Sequence, residues 1–317
     1  RNTGERTQLL LSFLTEKSTN HPLLNKSNKW KIQLHLLTRH NKSYLLERGG
    51  AEKKLSNAKV SIIGCGSVGG EIASMIAKTG LGELTLIDHD TMEPDNIYRH
   101  RLGGASLNYV PDQKSAVVEK NYKVLALRSM LMKDLPYIHI NAKPNRFENI
   151  LDDKDFLGSD IIIVAVGSPT LSLKINKILK DLNLNKVIFC WNEAAGIGGH
   201  SVALDLTACC YECLYCDENG FSENCELNLL HSGQNISKNL TGCAGVFTPF
   251  SYLDSSQTAN LAAKHCIDML LHNSHSSALS WKGDNHTQLD VTQRYSNIAL
   301  KESVKIKCKD SCTICHE

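Results

Sequence analysis

A short run rich in β-branched residues, Lys59-Val60-Ser61-Ile62-Ile63, feeds directly into Gly64-Cys65-Gly66-Ser67-Val68-Gly69. Residues 71–78 then place Ile72, Met75 and Ile76 on one helical face, and Thr79-Gly80-Leu81-Gly82 ends that helix. A second apolar run, 84–87, finishes on Asp88. Strand, glycine turn, helix, strand and acid in this order make a βαβ unit, which commits the chain to parallel strands with a helix packed across them. The glycines let backbone approach a phosphate, the helix N-terminus offers unpaired N–H groups, and the acid suits a ribose hydroxyl. Several classes of nucleotide-using protein share such a unit, so the residues that follow it decide the chemistry.

The rest of the chain extends the same architecture. Residues 161–166 are wholly apolar, as a parallel strand covered on both faces requires. A helix is expected over 171–182, a strand over 187–191, and further helices over about 113–131 and over 259–271. Residues 1–58 read as mostly helical and polar, and 274–317 as short strands ending in a Cys-rich tail. Residues 208–245 are rich in Cys, Asn and Gly with little periodicity, so a long functional loop is expected there. The expected fold class is α/β, a Rossmann-like, doubly wound, mostly parallel sheet with helices on both faces.

At 317 residues and 42% hydrophobic, the chain can bury one large core or two small ones. A net charge of +2 gives no strong field toward nucleic acid or an acidic membrane, so neither is expected as a partner. The apolar runs fall far short of the roughly 20 residues that span a bilayer. No signal-peptide pattern is present, and a cytoplasmic location is expected. The chain opens on Arg1 rather than Met, so a preceding segment is expected too. Twelve cysteines in a Rossmann-like chain point to metal ligation and nucleophilic thiols rather than to a disulfide scaffold.

Beyond the ribose acid, Asp88-His89-Asp90 leads to Asn96 and Arg99, and Lys114 comes soon after. An isolated Arg or Lys is ordinarily a solvated surface cation. An Asn, an Arg and a Lys gathered round one nucleotide instead suit a triphosphate, whose bridging and leaving oxygens need charge neutralisation.

Taken together, Gly64/Gly66/Gly69, Asp88/Asp90, Asn96/Arg99 and Lys114 resemble the ThiF/MoeB/E1 superfamily, ATP-dependent enzymes that adenylate the C-terminal glycine of ubiquitin-fold proteins. The resemblance runs from about residue 39 to the C-terminus. Arg48-Gly49-Gly50, the segment from Asn96 to Gly103, and Trp191-Asn192-Glu193-Ala194-Ala195-Gly196-Ile197-Gly198-Gly199-His200 look closest to the E1 half of bacterial E2–E1 fusions in CBASS antiphage operons. On that resemblance an E2-like domain is expected upstream. Residues 1–50 become a helical or linker segment and 51–207 the ATP-binding adenylation core. Residues 208–245 become the crossover loop with the catalytic Cys and the first zinc pair, and 246–317 the C-terminal part with the second pair.

The same resemblance implies that Asp88 binds the ATP ribose, that Asn96, Arg99 and Lys114 surround the phosphates, and that Mg²⁺ accompanies them. It also implies a homodimer in which Arg39 or Lys42 reaches the partner's γ-phosphate. One departure stands out. Where the family places a metal-holding Asp after the strand at 161–166, this chain has Gly167-Ser168-Pro169, so either another acid such as Asp90 or Glu193 takes the metal or the site is impaired.

Cys210-Tyr211-Glu212-Cys213 and Cys312-Thr313-Ile314-Cys315 are two C-x-x-C pairs, and a four-Cys set is a closed structural zinc site. Cys209 and Cys216 crowd the first pair, so a Cys213/Cys216 register and a His316 ligand stay open. Cys243, in Thr241-Gly242-Cys243-Ala244-Gly245-Val246, sits near glycine-rich backbone and ahead of a helix, a setting that favours the thiolate. The family places its thioester- or persulfide-bearing cysteine in this crossover loop. Cys225 is the alternative nucleophile, although Glu223 and Glu226 disfavour its thiolate. Cys65 is expected to pack rather than react, and His200 either lines a channel for the glycine tail or makes a structural hydrogen bond.

The expected activity is adenylation of a partner's C-terminal glycine with Mg-ATP, then a thioester on Cys243 for transfer to an E2. The alternatives are a sulfur-carrier adenylyltransferase of ThiF/MoeB type, an NAD-dependent oxidoreductase, and a non-catalytic nucleotide-binding scaffold.

Overall fold

The structure is a computed structural model that describes residues 12–14, 33–35, 37–107, 121–135, 137–239, 246–272, 276–298 and 301–315. The chain forms two compact units, Arg1–Gly50 and Ala51–Glu317. In the first, Ser12–Leu14 pairs antiparallel with Gln33–His35, and a two-turn helix covers Lys42–Arg48. Asn41 caps that helix, its Oδ1 accepting the Tyr44 N–H at 2.9 Å. The helix expected within 1–58 is present at Lys42–Arg48, with a 3-10 turn at Lys53–Asn57, and the paired strands are an addition to that expectation; residues 1–11 and 15–32 lie outside the described set.

The second unit is built on one eight-stranded sheet. Its strands are β1 (Lys59–Ile63), β2 (Glu83–Ile87), β3 (His139–Lys143), β4 (Ile161–Val164), β5 (Lys186–Asn192), β6 (Gly198–Asp205), β7 (Ser277–Lys282) and β8 (Lys301–Lys305). The order is β8-β7-β6-β5-β4-β1-β2-β3. Strands β3-β2-β1-β4-β5 pair parallel, and β6, β7 and β8 add antiparallel beyond them. The chain reverses its winding between β1 and β4, where an open α/β sheet leaves a crevice beyond its strand ends.

Period-two patterning decides which helix covers which face. Val60, Ile62, Ile161, Ile163 and Ile188 face the helices α1 (Ser67–Ala77), α2 (Lys123–Asp134) and α4 (Tyr252–His272). Ile162, Val164, Val187, Phe189 and Val202 face α3 (Pro169–Asp181) and the Cys210–Cys213 segment. Both sets are fully apolar because neither face meets water, and each such buried side chain contributes roughly 1.5–3 kcal/mol. The expected helix over 113–131 is described from Lys123, and residues 108–120 lie outside the described set.

Gly198 and Gly199, a pair that could equally make a turn, are extended members of strand β6. A Cβ at Gly199 would lie 2.1 Å from Thr258 Oγ1 on α4, and one at Gly198 2.6 Å from the Trp281 carbonyl. Glycine is present because α4 and β7 approach the β6 backbone this closely. No described helix is long and apolar enough to cross a membrane.

Candidate active site

The three glycines of the β1–α1 turn do different work. Gly64 has φ of +86°, and an added Cβ would lie 2.7 Å from the Ala165 carbonyl oxygen at the end of β4. At Gly69 a Cβ would sit 1.9 Å from the Gly64 carbonyl, so the turn closes on itself only without a side chain. Gly66 has open space within 4 Å and leaves the first turn of α1 without a side-chain cap. The amides at that end keep the positive end of the helix dipole available to an anion.

Asp88 ties this turn to the end of β2. Its Oδ2 accepts the Cys65 N–H at 2.7 Å and its Oδ1 accepts the Asp90 N–H at 2.9 Å. His100 adds a second tie, its ring bonding to the Cys65 carbonyl at 2.8 Å. The segment between them is a short 3-10 turn, Pro94–Asn96, in which Glu93 and Asn96 cap one another. Asn96 Oδ1 accepts the Glu93 N–H at 3.0 Å.

A cavity of about 1110 Å³ opens beyond the C-terminal ends of β2 and β5. Asp90, Asn96, Arg99 and Lys123 line one side, and Lys238, Phe247, Ser251 and Asp254 the other. The Arg99 guanidinium lies 5.5 Å from the centre of the Phe250 ring, a cation–π distance. Lys123, the first residue of α2, puts its Nζ 3.1 Å from Asp90 Oδ2, while its own N–H donates to the Asp90 carbonyl. Of the residues singled out in the sequence for the nucleotide, the structure brings Asp90, Asn96 and Arg99 to this cavity. Asp88 and the three glycines are not among its lining residues, and Asp88 connects the glycine turn to it by accepting both the Cys65 and the Asp90 N–H.

Lys123 escaped the sequence reading. Its signal was available: it opens a helix, directly follows the Thr91–Tyr122 bridge, and so lies beside the Asp88–Asp90 tip. Lys114 lies outside the described residues.

Among the acids weighed for a metal, Asp90 is the one at the cavity. With Asp88 and His89 it offers three ligand-capable groups within 4.8 Å of one another. Glu193 Oε1 instead accepts from Nε2 of the buried His200 at 3.1 Å, and His200 Nδ1 meets Ser280 Oγ at 2.8 Å. His200 is thus a structural residue, fully buried under Trp191. Gly167-Ser168-Pro169 serves as the start of α3, with Ser168 Oγ accepting the Leu171 N–H.

The cysteines of the two C-x-x-C pairs converge. Cys210 Sγ lies 3.4 Å from Cys312 Sγ and 4.0 Å from Cys213 Sγ, and Cys213 lies 3.5 Å from Cys315. All four sulfurs fall within 4.8 Å of one another. Zinc–sulfur bonds of about 2.3 Å in a tetrahedron set sulfurs about 3.8 Å apart, so this donor set fits the ion. Hydrogen bonding from Cys210 draws the Cys213 thiol down to about 4, whereas burial raises Cys312 and Cys315. With zinc bound all four sulfurs would be thiolates, their mutual repulsion offset by the cation. Cys216 falls instead in a second group with Glu212 and Cys312, and His316 lies outside the described residues.

Cys225 is ill suited to nucleophilic attack. It is 4% exposed, and burial above all, with the Glu193 and Glu226 charges adding, pushes its thiol up to about 12. Cys65 is also buried and raised by desolvation. Cys243 lies outside the described residues. The strands on either side of it pair Lys238 with Phe247, and both residues line the cavity.

Residues 39–295 match the ThiF family. The ATP-dependent ubiquitin transferase-like protein Cap2 of Vibrio cholerae is 25% identical over 292 residues, covering 89% of this chain and 45% of that protein. The adenylyltransferase and sulfurtransferase UBA4 of Lodderomyces elongisporus is 24% identical over 216 residues, covering 66% of this chain and 44% of that protein. The crystal structure of E. coli MccB with ATP superposes with a TM-score of 0.56 at 20% identity, over 86% of this chain and 70% of that one, a likeness of fold. The chain thus spans less than half the length of these Cap2 and UBA4 proteins.

Proposed function

Because the chain belongs to the ThiF family, we propose that it is an ATP-dependent adenylyltransferase that activates the C-terminal carboxylate of a protein partner. The observation that carries this reading is the pairing of Arg99 and Lys123 on one wall of a single cavity, beside the glycine turn and Asp88. An NAD-dependent dehydrogenase reading offers no comparable account of Arg99 and Lys123 together with the two C-x-x-C pairs.

In the proposed step a carboxylate oxygen of the partner's C-terminal glycine attacks the α-phosphorus of ATP. The bond from that phosphorus to the bridging oxygen breaks, and pyrophosphate leaves with the electron pair. Arg99 and Lys123 stabilise charge growing on the phosphate oxygens, the term that preorganised cations supply best. Asn96 holds the Arg99 turn in shape, and Asp88 presents its remaining lone pairs to the ribose. Mg²⁺, where bound, neutralises phosphate charge, and Asp90 is the acid that would hold it. Zinc, where bound, crosslinks the crossover segment to the C-terminal tail through Cys210, Cys213, Cys312 and Cys315.

The Cys243 thiol then attacks the acyl carbon and AMP departs, leaving a thioester for an E2-like acceptor. The similarity to the ubiquitin transferase-like protein Cap2 supports this conjugating route, and the proposal adds a CBASS setting and a homodimer that brings Arg39 or Lys42 to the partner's nucleotide. The similarity to UBA4 supports a second reading, sulfur-carrier activation with a persulfide on the same thiol.

The test is calorimetric titration with Mg-ATP and, separately, NAD. Saturable ATP binding that weakens at least tenfold in Arg99→Ala, with NAD silent, is expected (about 1.4 kcal/mol or more). NAD binding, or ATP binding indifferent to Arg99, would sink the proposal.

A further inference from the structure

His100 is buried, 4% exposed, directly after Arg99. Its ring rests on the first turn of α1, where a Cβ at Gly70 would come 3.3 Å from His100 Cε1. Gly70 therefore makes room for the ring. Both ring nitrogens are engaged by backbone. Leu102 N–H donates to Nδ1 at 3.0 Å, and Nε2 faces the Cys65 carbonyl at 2.8 Å. A backbone N–H only donates and a carbonyl only accepts, so these two partners assign the tautomer. The proton is on Nε2, and the ring is neutral.

Cys65 becomes the meeting point of three segments. Its N–H is held by Asp88 at the tip of β2, and its carbonyl by His100 from the Arg99 turn. Arg99 itself has a long side chain with many rotamers, and its backbone lies in a turn closed by Arg99 and His100 N–H bonds to the Asn96 carbonyl. An arginine stabilises a transition state only if its position is set before the substrate arrives.

We propose that His100 is the positioning residue for Arg99, a neutral, tautomer-locked strut that fixes the Arg99 turn against the glycine turn. The strut rests on the adenylating reading for its purpose and on the geometry alone for its existence. Burial lowers the His100 pKa from the usual histidine value, against the opposing pull of the Cys65 carbonyl, which keeps the ring in the form both bonds require.

A double-mutant cycle separates positioning from general support of the fold. His100→Leu fills the space without either bond, and His100→Gln keeps one acceptor and one donor. Mg-ATP affinity is expected to fall about tenfold in His100→Leu and to recover most of that loss in His100→Gln. In an Arg99→Ala background, His100→Leu should cost less than twofold more. A full additional tenfold loss there would overturn the proposal, because His100 would then act independently of Arg99. Two nucleotide-free measurements decide the matter if the chain binds no ATP, an outcome that would instead remove the adenylating reading. Nitrogen-15 shifts of the wild-type ring should show Nε2 protonated and Nδ1 bare. The Arg99 side-chain Nε–H resonance should move in His100→Leu. A proton on Nδ1, or an Arg99 resonance indifferent to His100, overturns the proposal.

Discussion

Lys123 Nζ stands 3.1 Å from Asp90 Oδ2, and the two side chains differ sharply in exposure, 10% for the lysine and 55% for the aspartate. The lysine is thereby held in the cavity by a carboxylate that water still reaches. Such a half-exposed pair contributes about 0–1 kcal/mol to folding, so its purpose is sought in the ligand rather than in stability.

Lys123→Met is accordingly expected to leave the melting temperature nearly unchanged while weakening Mg-ATP binding by about tenfold or more. Calorimetry alongside thermal unfolding measures both. Undiminished ATP affinity in this variant would take Lys123 out of the phosphate site.

The glycine turn offers an internal contrast. Gly66 sits at φ of −74° with open space around a prospective Cβ. Gly66→Ala should stay within about 1 kcal/mol of wild type in denaturant unfolding yet bind nucleotide poorly. Gly69→Ala, whose Cβ would lie 1.9 Å from a carbonyl oxygen, should lose about 2 kcal/mol or more. If Gly66→Ala binds ATP like wild type, the phosphates do not cross that turn.

For the sulfur cluster, elemental analysis of protein purified without chelator should find about one zinc per chain. Cys210→Ser should lose it, while Cys216→Ser and the exposed Cys308→Ser should retain it. Retention of zinc in Cys210→Ser would refute the four-sulfur assignment. Loss in Cys216→Ser would shift the register toward the second group.

His265 on α4 is buried between Ser201 and Ser277, and burial lowers its pKa to about 4. The unfolded chain therefore takes up this proton first as the pH falls. The stability held by the neutral ring is complete above pH 6.5 and is lost between 6.5 and about 4. The loss amounts to roughly 3 kcal/mol at the lower end. Unfolding free energies measured across that window should fall more steeply for wild type than for His265→Gln. Parallel slopes would show that His265 titrates normally.

Much of the core was readable because its rules are local. The run 161–166 is apolar on both faces, and only a strand between two helical layers buries it, as β4 does. Two strands carried no such signal. In β3, His-Ile-Asn-Ala-Lys, only Ile140 is buried, because the strand sits at the sheet's edge. In β6 the opening Gly198-Gly199 resembles a turn until α4 and Trp281 are packed over it. The need for glycine there is set by Leu229, Thr258 and Trp281, neighbours far along the chain that no window of sequence contains.

The sequence by itself determined the βαβ unit, the family resemblance, the two C-x-x-C pairs and the candidacy of Arg99, since each rests on residue type and short-range spacing. Tertiary structure decided the rest. It brought Lys123 to the cavity beside Arg99, buried Cys225 beyond useful ionisation, and turned His200 into a structural residue. It also joined His100 to Cys65 across 35 residues of chain. The reason is physical: burial, tautomer and charge pairing depend on which atoms surround a group, and for these residues most of those atoms come from distant parts of the chain.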